Sequence, residues 1–353
     1  MTKILYFSRG RGYGHSMVDI LIRRDLLTYY PHVEISMASY ADGLRSFIQN
    51  DIKVEELDID LDDEYSIFSG GPILDLIHRI NPDLIISHEM FIAVQIAKKL
   101  SIPSILITHW FFEQVTPENK KSLVFQEMFN DTNEVIMIDI ENFHIKPKTL
   151  KAPTTFVGPI TRIPSKHFND KKTRARYGLR EDIDIVCLSL GGGRSKESLY
   201  IAKTTIELFN RTKDPSLGLI YFAGENYKYF SEYKNNDRFY LGTNEWDYYM
   251  DVQAIANIVI TRGTFNTLSE LATMDIPSIS ILDDTNPVDR FHAKNFEKIG
   301  TTNVIDLNQL TSEILLEKIN FFRRNKVIHK ELVEKYKNSI GLKKATAIIS
   351  KYL

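Results

Sequence analysis

The chain has 353 residues, of which 43% are hydrophobic and 25% are charged, as in ordinary globular proteins. Because a single hydrophobic core rarely serves more than about 250–300 residues, we expect two domains. The formal net charge of -2 leaves no basic excess to neutralise phosphates, which argues against a nucleic-acid partner.

The lone cysteine, Cys187, lies in the apolar run IDIVCLSL and is predicted to be a buried strand residue rather than a nucleophile. No apolar run approaches the roughly 18 residues of a membrane span, and the N-terminal KILYF has the pattern of a strand, not of a signal peptide. We therefore expect a cytoplasmic protein. Peripheral contact with the inner face of a membrane stays open, because a surface patch needs no spanning helix.

The first half of the chain alternates short apolar runs with longer amphipathic stretches, the pattern of a doubly wound α/β sheet. The runs predict buried parallel strands at 3–7, 33–39, 83–87, 104–108 and 134–138. Amphipathic stretches predict helices at 16–30 and 91–100. The aromatic stretch 110–129 is either an acceptor-facing or membrane-facing lid or a helix with one buried face.

The alternation of apolar and amphipathic stretches is interrupted at FVGPITR (156–162). The basic run 165–178 that comes next predicts a linker followed by a surface helix. A second set of predicted strands then follows at 183–190, 217–224, 238–242, 256–262 and 278–282. From about Leu310 the chain is predicted to be helical. The chain therefore resolves into two similar Rossmann-like halves with a hinge near Gly158.

Each half opens with a strand, a glycine-rich loop and a helix. The loops are SRGRGYGH (8–15) and LGGGRS (190–195). Glycines let backbone N–H groups approach an anion, and a helix N-terminus favours negative charge, so both loops predict a ligand nearby. The dinucleotide fingerprint and the G-K-[ST] of a P-loop are both missing, which argues against NAD binding and ATP phosphoryl transfer.

The most informative segment is ITRGTFNTLSEL (260–271), where a buried strand feeds a Gly-Thr turn and then a helix. Glu270 lies about two turns into that helix. Its carboxylate could accept both hydroxyls of a ribose while the helix N-terminus holds phosphates; the alternative is an ordinary surface residue. In the later segment 283–295, polar side chains suit sugar hydroxyls, whereas Asp283 and Asp284 lack the partners of a metal site.

The patterns R-G-T-F-N-T-L-S-E and D-R-F-H-A-K-N resemble the nucleotide-sugar signature of GT-B glycosyltransferases. The closest resemblance is to family 28, typified by the bacterial N-acetylglucosaminyltransferase that makes lipid II. Its G-x-x-x-G-H loop is matched by Gly10, Gly14 and His15, and its G-N-P-V-R segment loosely by residues 158–162. The first loop is equally similar to that of diacylglycerol and natural-product glycosyltransferases.

The resemblance implies a GT-B fold, with two Rossmann-like doubly wound parallel-sheet domains facing an interdomain cleft. Residues 1–160 would bind the acceptor, residues 161–335 the donor, and a helix in 336–353 would pack back on the first domain. His15 would lie next to the reacting centre as the candidate base. His109 matches an acceptor-side histidine, and His88, which ends a strand, either lines the cleft with it or caps a turn.

The resemblance also implies the donor site. Glu270 would bind the ribose hydroxyls, and Trp246 would lie against the uracil base. The remaining donor-binding candidates surround the diphosphate and the sugar: Gly14, Gly191, Gly192, Gly193, Arg194, Arg262, Gly263, Thr264, Phe265, Asn266, Asp289, His292 and Asn295.

These residues predict a glycosyltransferase that moves a hexose or N-acetylhexosamine from a UDP-sugar to an acceptor hydroxyl. The reaction would invert the anomeric centre and need no metal, and the UDP-sugar would be a co-substrate with no further cofactor. The acceptor stays open among small molecules, glycans and lipid-linked sugars. A UDP-sugar hydrolase or 2-epimerase on the same scaffold is the alternative, and a non-catalytic nucleotide-sugar sensor is a third.

Overall fold

The structure is a computed structural model. It describes residues 1–60, 70–115, 120–191, 195–212, 214–243, 249–283, 285–324, 333–334, 336, 338 and 340–353. The chain divides into two compact units, the first formed by Met1–Ile160 with Asn338–Leu353 and the second by Thr161–Lys337.

Seven described strands form the parallel sheet of the first unit, in the order β3-β2-β1-β4-β5-β6-β7. They are β1 Lys3–Ser8, β2 Glu34–Ser39, β3 Val54–Glu56, β4 Leu84–His88, β5 Ser104–Thr108, β6 Glu134–Met137 and β7 Thr154–Phe156. The central strands β4 and β5 are buried along their whole length, as expected of a sheet covered on both faces.

The helices of this unit are α1 Gly14–Tyr29, α2 Ala41–Gln49, α3 Gly70–Ile80, α4 Phe91–Lys99, α5 Phe112–Val115, α6 Lys120–Asp131 and, near the end of the chain, α13 Gly341–Ile349. α13 packs on α1, where the Thr346 hydroxyl donates to Asp25 at 2.6 Å. The start of α13 also lies close to the backbone at Pro159, because a Cβ on Gly341 would lie 2.4 Å from the carbonyl oxygen of Pro159.

Six described strands form the parallel sheet of the second unit, in the order β10-β9-β8-β11-β12-β13. They are β8 Asp184–Ser189, β9 Leu217–Phe222, β10 Phe239–Gly242, β11 Ile258–Thr261, β12 Ser278–Leu282 and β13 Thr302–Asp306. The helices are α7 Asp170–Arg176, α8 Lys196–Arg211, α9 Tyr249–Ala254, α10 Phe265–Thr273, α11 Pro287–Lys298 and α12 Ser312–Arg324.

Both sheets reverse their strand order at one point, between β1 and β4 in the first unit and between β8 and β11 in the second. In open α/β sheets, ligands bind outside the carboxyl ends of the strands at such switch points. The loops that follow β1, β4, β8 and β11 are therefore where each unit offers a site.

The predicted fold class, two doubly wound parallel α/β sheets, is confirmed. Each predicted apolar run contains an observed strand, and Cys187 is buried in β8. Three short strands, β3, β7 and β13, were not predicted. In the described part of the chain, no helix combines the length and the apolar character needed to cross a membrane.

Candidate functional site

The loop after β1 packs closely against the segment that follows β2, and this packing explains one of its glycines. A Cβ on Gly10 would lie 2.2 Å from the carbonyl oxygen of Tyr40, and the amides of Asp42 and Gly43 donate to the Gly10 carbonyl. Gly12 has φ +79°, a conformation that glycine adopts without strain. The packing and the backbone conformation therefore explain why positions 10 and 12 are glycine. Gly14 and His15 are the first two residues of α1.

The Glu89 carboxylate contacts several polar side chains at the switch point of the first unit, where β1 and β4 are neighbours. Nε2 of His15 lies 3.0 Å from Oε2 of Glu89, and the Arg9 guanidinium donates to the same oxygen at 3.2 Å. On the other oxygen, the Thr108 hydroxyl donates at 2.9 Å and Nε2 of His109 lies at 3.4 Å. The sheet order explains the cluster, because parallel strands β1, β4 and β5 are neighbours and end at the same edge.

Electrostatics define the protonation state of this cluster. Burial lowers the pKa of His15 below 6.5 and that of His109 to about 3, so both imidazoles are neutral at pH 7. Burial alone would raise the pKa of Glu89, but His109, His15 and Arg9 hold it well below its usual value. An ionised Glu89 only accepts hydrogen bonds, so Nε2 of His15 carries the proton and Nδ1 has the lone pair.

The backbone at Glu89 is strained. Its φ of +58° lies in the left-handed region, which a side chain rarely occupies. The amide of Glu89 still donates to Ile107 O at 3.2 Å, which ties the residue to the end of β5. Such strain in a non-glycine residue at a sheet's switch point is typical of a functional position.

His88 lies behind His15 and is fully buried. Its Nδ1 is 2.7 Å from Oδ1 of Asp19, which also accepts a 2.7 Å hydrogen bond from the Tyr6 hydroxyl. Asp19 is one helical turn after His15 on α1, and the rings of His88 and His15 meet edge to face at 4.6 Å. The structure thus places His88 as a support under His15, whereas His15 and His109 retain slight exposure.

The ligand atoms of His15, Glu89 and His109 lie within 4.8 Å of one another, close enough to surround a metal ion. The Arg9 guanidinium, however, already neutralises the only carboxylate of this group. The positive charge of Arg9, 3.2 Å from Oε2, therefore opposes a cation beside Glu89.

In the second unit, the turn after β11 presents the start of α10. Gly263 has φ +74°, and a Cβ there would lie 2.6 Å from the Leu282 side chain. Thr264 caps the helix with an extended backbone, and Phe265 and Asn266 begin it. The first amides of an α-helix have no partner within the helix, so this end can bind an anion.

Glu270 follows one and a half turns later and is buried, with its side chain 5% exposed. Arg162 donates to both of its oxygens, from Nε at 2.6 Å and from Nη2 at 2.9 Å. The same guanidinium lies over the ring of Tyr249, 4.9 Å from its centroid. Burial raises the pKa of Tyr249 to about 12, so its hydroxyl is neutral beside this ion pair.

A pocket opens at the carboxyl ends of β11 and β12. It is lined by Glu197, Ile201, Arg262, Ile281, Leu282, Asp283, Asn286, Asp289 and Leu307. Arg262 and Asp289, both predicted donor residues, thus share one pocket. Two other predicted residues, His292 and Asn295, are buried in α11, and the ring of His292 packs 4.6 Å from that of Phe265.

Five predicted positions lie outside the described residues: Gly192, Gly193, Arg194, Trp246 and Asp284. Gly191, at the start of its loop, has φ +68°. Asp283 accepts hydrogen bonds from the amide and hydroxyl of Thr285.

Sequence reasoning missed Glu89 and Arg162. Glu89 carries one local signal, a charged residue directly after the apolar strand β4. In the sequence, Arg162 stands out only as the last residue of the G-P-I-T-R segment. Its partner is 108 positions away in the chain, so no local pattern pointed to the pair.

Comparison with known proteins gives a family match, curated relatives and structural neighbours. Residues 212–349 match the glycosyltransferase family 28 C-terminal domain. Among curated proteins, the chain is 26% identical over 269 residues to the UDP-N-acetylglucosamine--N-acetylmuramyl-(pentapeptide) pyrophosphoryl-undecaprenol N-acetylglucosamine transferase of Staphylococcus aureus, covering 73% of this chain and 70% of the relative. It is 23% identical over 252 residues to an uncharacterized glycosyltransferase of Methanopyrus kandleri, covering 69% of each.

Solved structures share the fold at low identity. The spinosyn rhamnosyltransferase SpnG has a TM-score of 0.75 at 11% identity, with 99% of both chains covered. MurG of Acinetobacter baumannii has a TM-score of 0.66 at 12% identity, with 99% of this chain and 100% of that chain covered.

Proposed function

Because the chain is a GT-B glycosyltransferase that carries a family 28 C-terminal domain, we propose that it transfers a hexose or N-acetylhexosamine from UDP to an acceptor hydroxyl. The second unit would hold the donor, and the first would bind the acceptor. The family match falls largely on the second unit, and the Staphylococcus aureus relative is named for a UDP-sugar donor; both support this assignment.

The donor site is built on α10. Its first amides, at Phe265 and Asn266, would hold the diphosphate, with Gly263 allowing the close approach. Glu270, on the same helix, would accept the ribose hydroxyls. Arg262 would add positive charge, and Asp289 in the same pocket would accept hydrogen bonds from sugar hydroxyls.

Charge develops on the diphosphate as the glycosidic bond breaks. The acceptor oxygen forms a bond to C1 of the sugar while the bond from C1 to the phosphate oxygen breaks, and its electron pair leaves with UDP. Displacement in one step from the opposite face inverts the anomeric centre. Helix amides that are already in position stabilise the charge on the leaving diphosphate. They lower the activation barrier because no free energy is spent on reorienting them during the reaction.

The acceptor proton would pass to Nδ1 of His15. The observation that carries this role is the contact between Nε2 of His15 and ionised Glu89 at 3.0 Å, because it fixes the tautomer with a bare Nδ1. Burial keeps that imidazole neutral at pH 7 and so able to take a proton. His109 shares Glu89 and would help orient the acceptor, while His88 supports the His15 ring from behind.

A donor screen tests the proposal without knowledge of the acceptor. Ligands that bind the native state raise its melting temperature, and the rise grows with the logarithm of the ligand concentration relative to Kd. UDP, UDP-glucose and UDP-N-acetylglucosamine should raise it more than dTDP-glucose does. Equal or greater stabilisation by dTDP-glucose would contradict the UDP assignment.

Transfer itself needs an acceptor, for which glycans, lipid-linked sugars and small-molecule alcohols are screened with the preferred donor. UDP should form only when an acceptor is added. Rapid loss of the sugar, or its epimerisation at C2, with the donor alone would instead establish a hydrolase or 2-epimerase. A lipid-linked acceptor would place the protein at the inner face of a membrane.

A further inference from the structure

The backbone places Arg9 directly beside Glu89. The pairing of β1 with β4 ends at Ser8 and His88, and Arg9 and Glu89 directly follow these two strands. The amide of Arg9 donates to the carbonyl oxygen of His88 at 3.1 Å, and the amide of Glu89 donates to that of Ile107 at 3.2 Å. Both residues are therefore fixed at the same edge of the sheet, where their side chains meet.

One oxygen of Glu89 contacts two donors. Nη1 of Arg9 lies 3.2 Å from Oε2, and Nε2 of His15 lies 3.0 Å from the same atom. The Glu89 side chain is fully buried, whereas that of Arg9 is 15% exposed. Because a buried carboxylate keeps its charge only beside a group of opposite charge, either Arg9 or a protonated His15 has to provide that charge.

Arg9 differs from the other groups at this site because its charge is permanent. A guanidinium stays protonated throughout the pH range in which proteins fold, whereas an imidazole is protonated only near or below about pH 6.5. Among the contacts of Glu89 in the described part of the chain, only Arg9 is therefore positively charged at pH 7. The charged and titratable groups around the His15–Glu89 pair come from every neighbouring element: Arg9 after β1, His88 on β4, His109 after β5 and, behind His88, Asp19 on α1.

The positive charge of Arg9 acts on both members of the pair. Burial is the main cause that lowers the pKa of His15, and Arg9 lowers it further, against the opposing effect of Glu89. Burial raises the pKa of Glu89, but His109, His15 and Arg9 together hold it well below its usual value. Loss of the Arg9 charge would therefore raise the pKa of His15 and that of Glu89.

Without the Arg9 charge, the His15–Glu89 pair would take up one proton. If that proton binds the imidazole, His15 becomes an imidazolium with protons on both ring nitrogens. If it binds the carboxylate, Glu89 donates to Nε2, and the imidazole carries its own proton on Nδ1. In both cases Nδ1 of His15 is protonated and cannot accept a proton from a hydroxyl group.

We propose that Arg9 is a positioning residue of the transfer reaction: its guanidinium supplies the positive charge beside Glu89, so that Nδ1 of His15 stays bare at neutral pH. Arg9 acts on His15 through its charge and through Glu89. The inference rests on the proposed function because it takes His15 as the base, but the effect of Arg9 on His15 is a property of the protein alone.

Imidazole ¹⁵N NMR of labelled protein between about pH 5 and 8 tests the effect without donor or acceptor. The spectrum of His15→Gln assigns the resonances. In wild-type protein, His15 should carry its proton on Nε2 at pH 7 and titrate below pH 6.5. In Arg9→Gln the midpoint should lie about one pH unit higher, since a charge in contact changes a pKa by about 1–3. Arg9→Lys keeps the charge and should titrate close to wild type.

An unchanged or lower midpoint in Arg9→Gln would overturn the proposal, as would an equal rise in Arg9→Lys and Arg9→Gln. Arg79→Gln is the matched control, because Arg79 forms an exposed ion pair with Glu55 at 2.8 Å in the same unit. It should keep the wild-type midpoint of His15.

If Arg9→Gln does not fold, the double variant Arg9→Gln/Glu89→Gln removes both charges and leaves no buried carboxylate without a partner. Its His15 midpoint should lie above that of Glu89→Gln, since the two proteins differ only at Arg9. Equal midpoints in these two variants would overturn the proposal.

Rates of transfer, measured with the acceptor that the screen identifies, separate this inference from the proposed function. In Arg9→Gln the acid limb of kcat/KM should move to higher pH together with the NMR midpoint of His15. A midpoint that rises while the acid limb stays would remove His15 as the base, and with it the part of Arg9 in the reaction. A midpoint that stays, while His15→Ala still loses turnover, would remove only the role of Arg9.

Discussion

Nε2 of His15 donates to the Glu89 carboxylate across 3.0 Å, although the two residues are 74 positions apart in the chain. The same carboxylate binds the Arg9 guanidinium, so Glu89 stays ionised beside a neutral imidazole. This pairing gives His15 one defined tautomer, and the predictions for catalysis begin from it.

His15→Ala should lower kcat for sugar transfer by about 10²–10⁴-fold, the usual contribution of a general base. UDP affinity should be unchanged, because the residues proposed to hold UDP on α10, Gly263 to Glu270, lie in the second unit. Steady-state kinetics with the identified acceptor and calorimetry with UDP measure the two effects. Wild-type turnover in the variant would refute the role of His15 as base.

The pH dependence of transfer should report the His15 pKa. A base works when unprotonated, so kcat/KM should fall on the acid side, with a midpoint below pH 6.5 because burial lowers this pKa. Glu89→Gln removes the carboxylate that raises the pKa of His15, so the acid limb should move to still lower pH while kcat falls at least about tenfold. A limb that moves to higher pH in Glu89→Gln would contradict this electrostatic account.

Stability should also fall with pH through the buried histidines. His109 has a folded pKa of about 3 against about 6.5 when unfolded, so the unfolded state binds the proton first as the pH drops. The contribution of His109 to the free energy of unfolding is therefore complete above pH 6.5. It decreases by up to about 1.4 kcal/mol for each pH unit between about 6.5 and 3. Urea unfolding between pH 7 and 4 should show a shallower slope for His109→Gln than for wild type; equal slopes would count against a neutral buried His109.

Gly263→Ala should destabilise the protein by about 1–3 kcal/mol, the range for a residue forced into a sparsely populated conformation. Besides φ +74°, the added Cβ would meet Leu282 at 2.6 Å. Gly178→Ala is the control, because Gly178 has φ +65° in the same unit but nothing within 4 Å of its Cβ position. Thermal unfolding should show a larger loss of stability for Gly263→Ala than for Gly178→Ala. Equal losses of stability would contradict a steric clash between the added Cβ and Leu282.

Transfer should survive EDTA. The diphosphate would meet the amides of α10 and the charge of Arg262, and Arg9 places a positive charge beside the carboxylate of the His15, Glu89 and His109 group. Initial rates with and without chelator test this directly. A loss of activity that Mg²⁺ or Zn²⁺ restores would require a metal in the mechanism.

Much of the fold could be predicted because its strands are apolar and β-branched, as in SILIT and SISIL, where burial on both faces leaves a continuous signal. β7 (TTF) and β13 (TNVID) lack that signal, since they are partly exposed at the sheet edges. At the site, the glycine turn and helix around Glu270 were visible locally. The pairs His15–Glu89 and Arg162–Glu270 were not, because strand order and helix packing bring together residues that are remote in sequence.

A crystal structure of the protein with UDP tests the central claim most directly. The account predicts the ribose hydroxyls within hydrogen-bond distance of the Glu270 carboxylate and the diphosphate at the first amides of α10. Uridine bound elsewhere, or bound with Glu270 still out of reach of the ribose, would contradict the assignment of the second unit as the donor site.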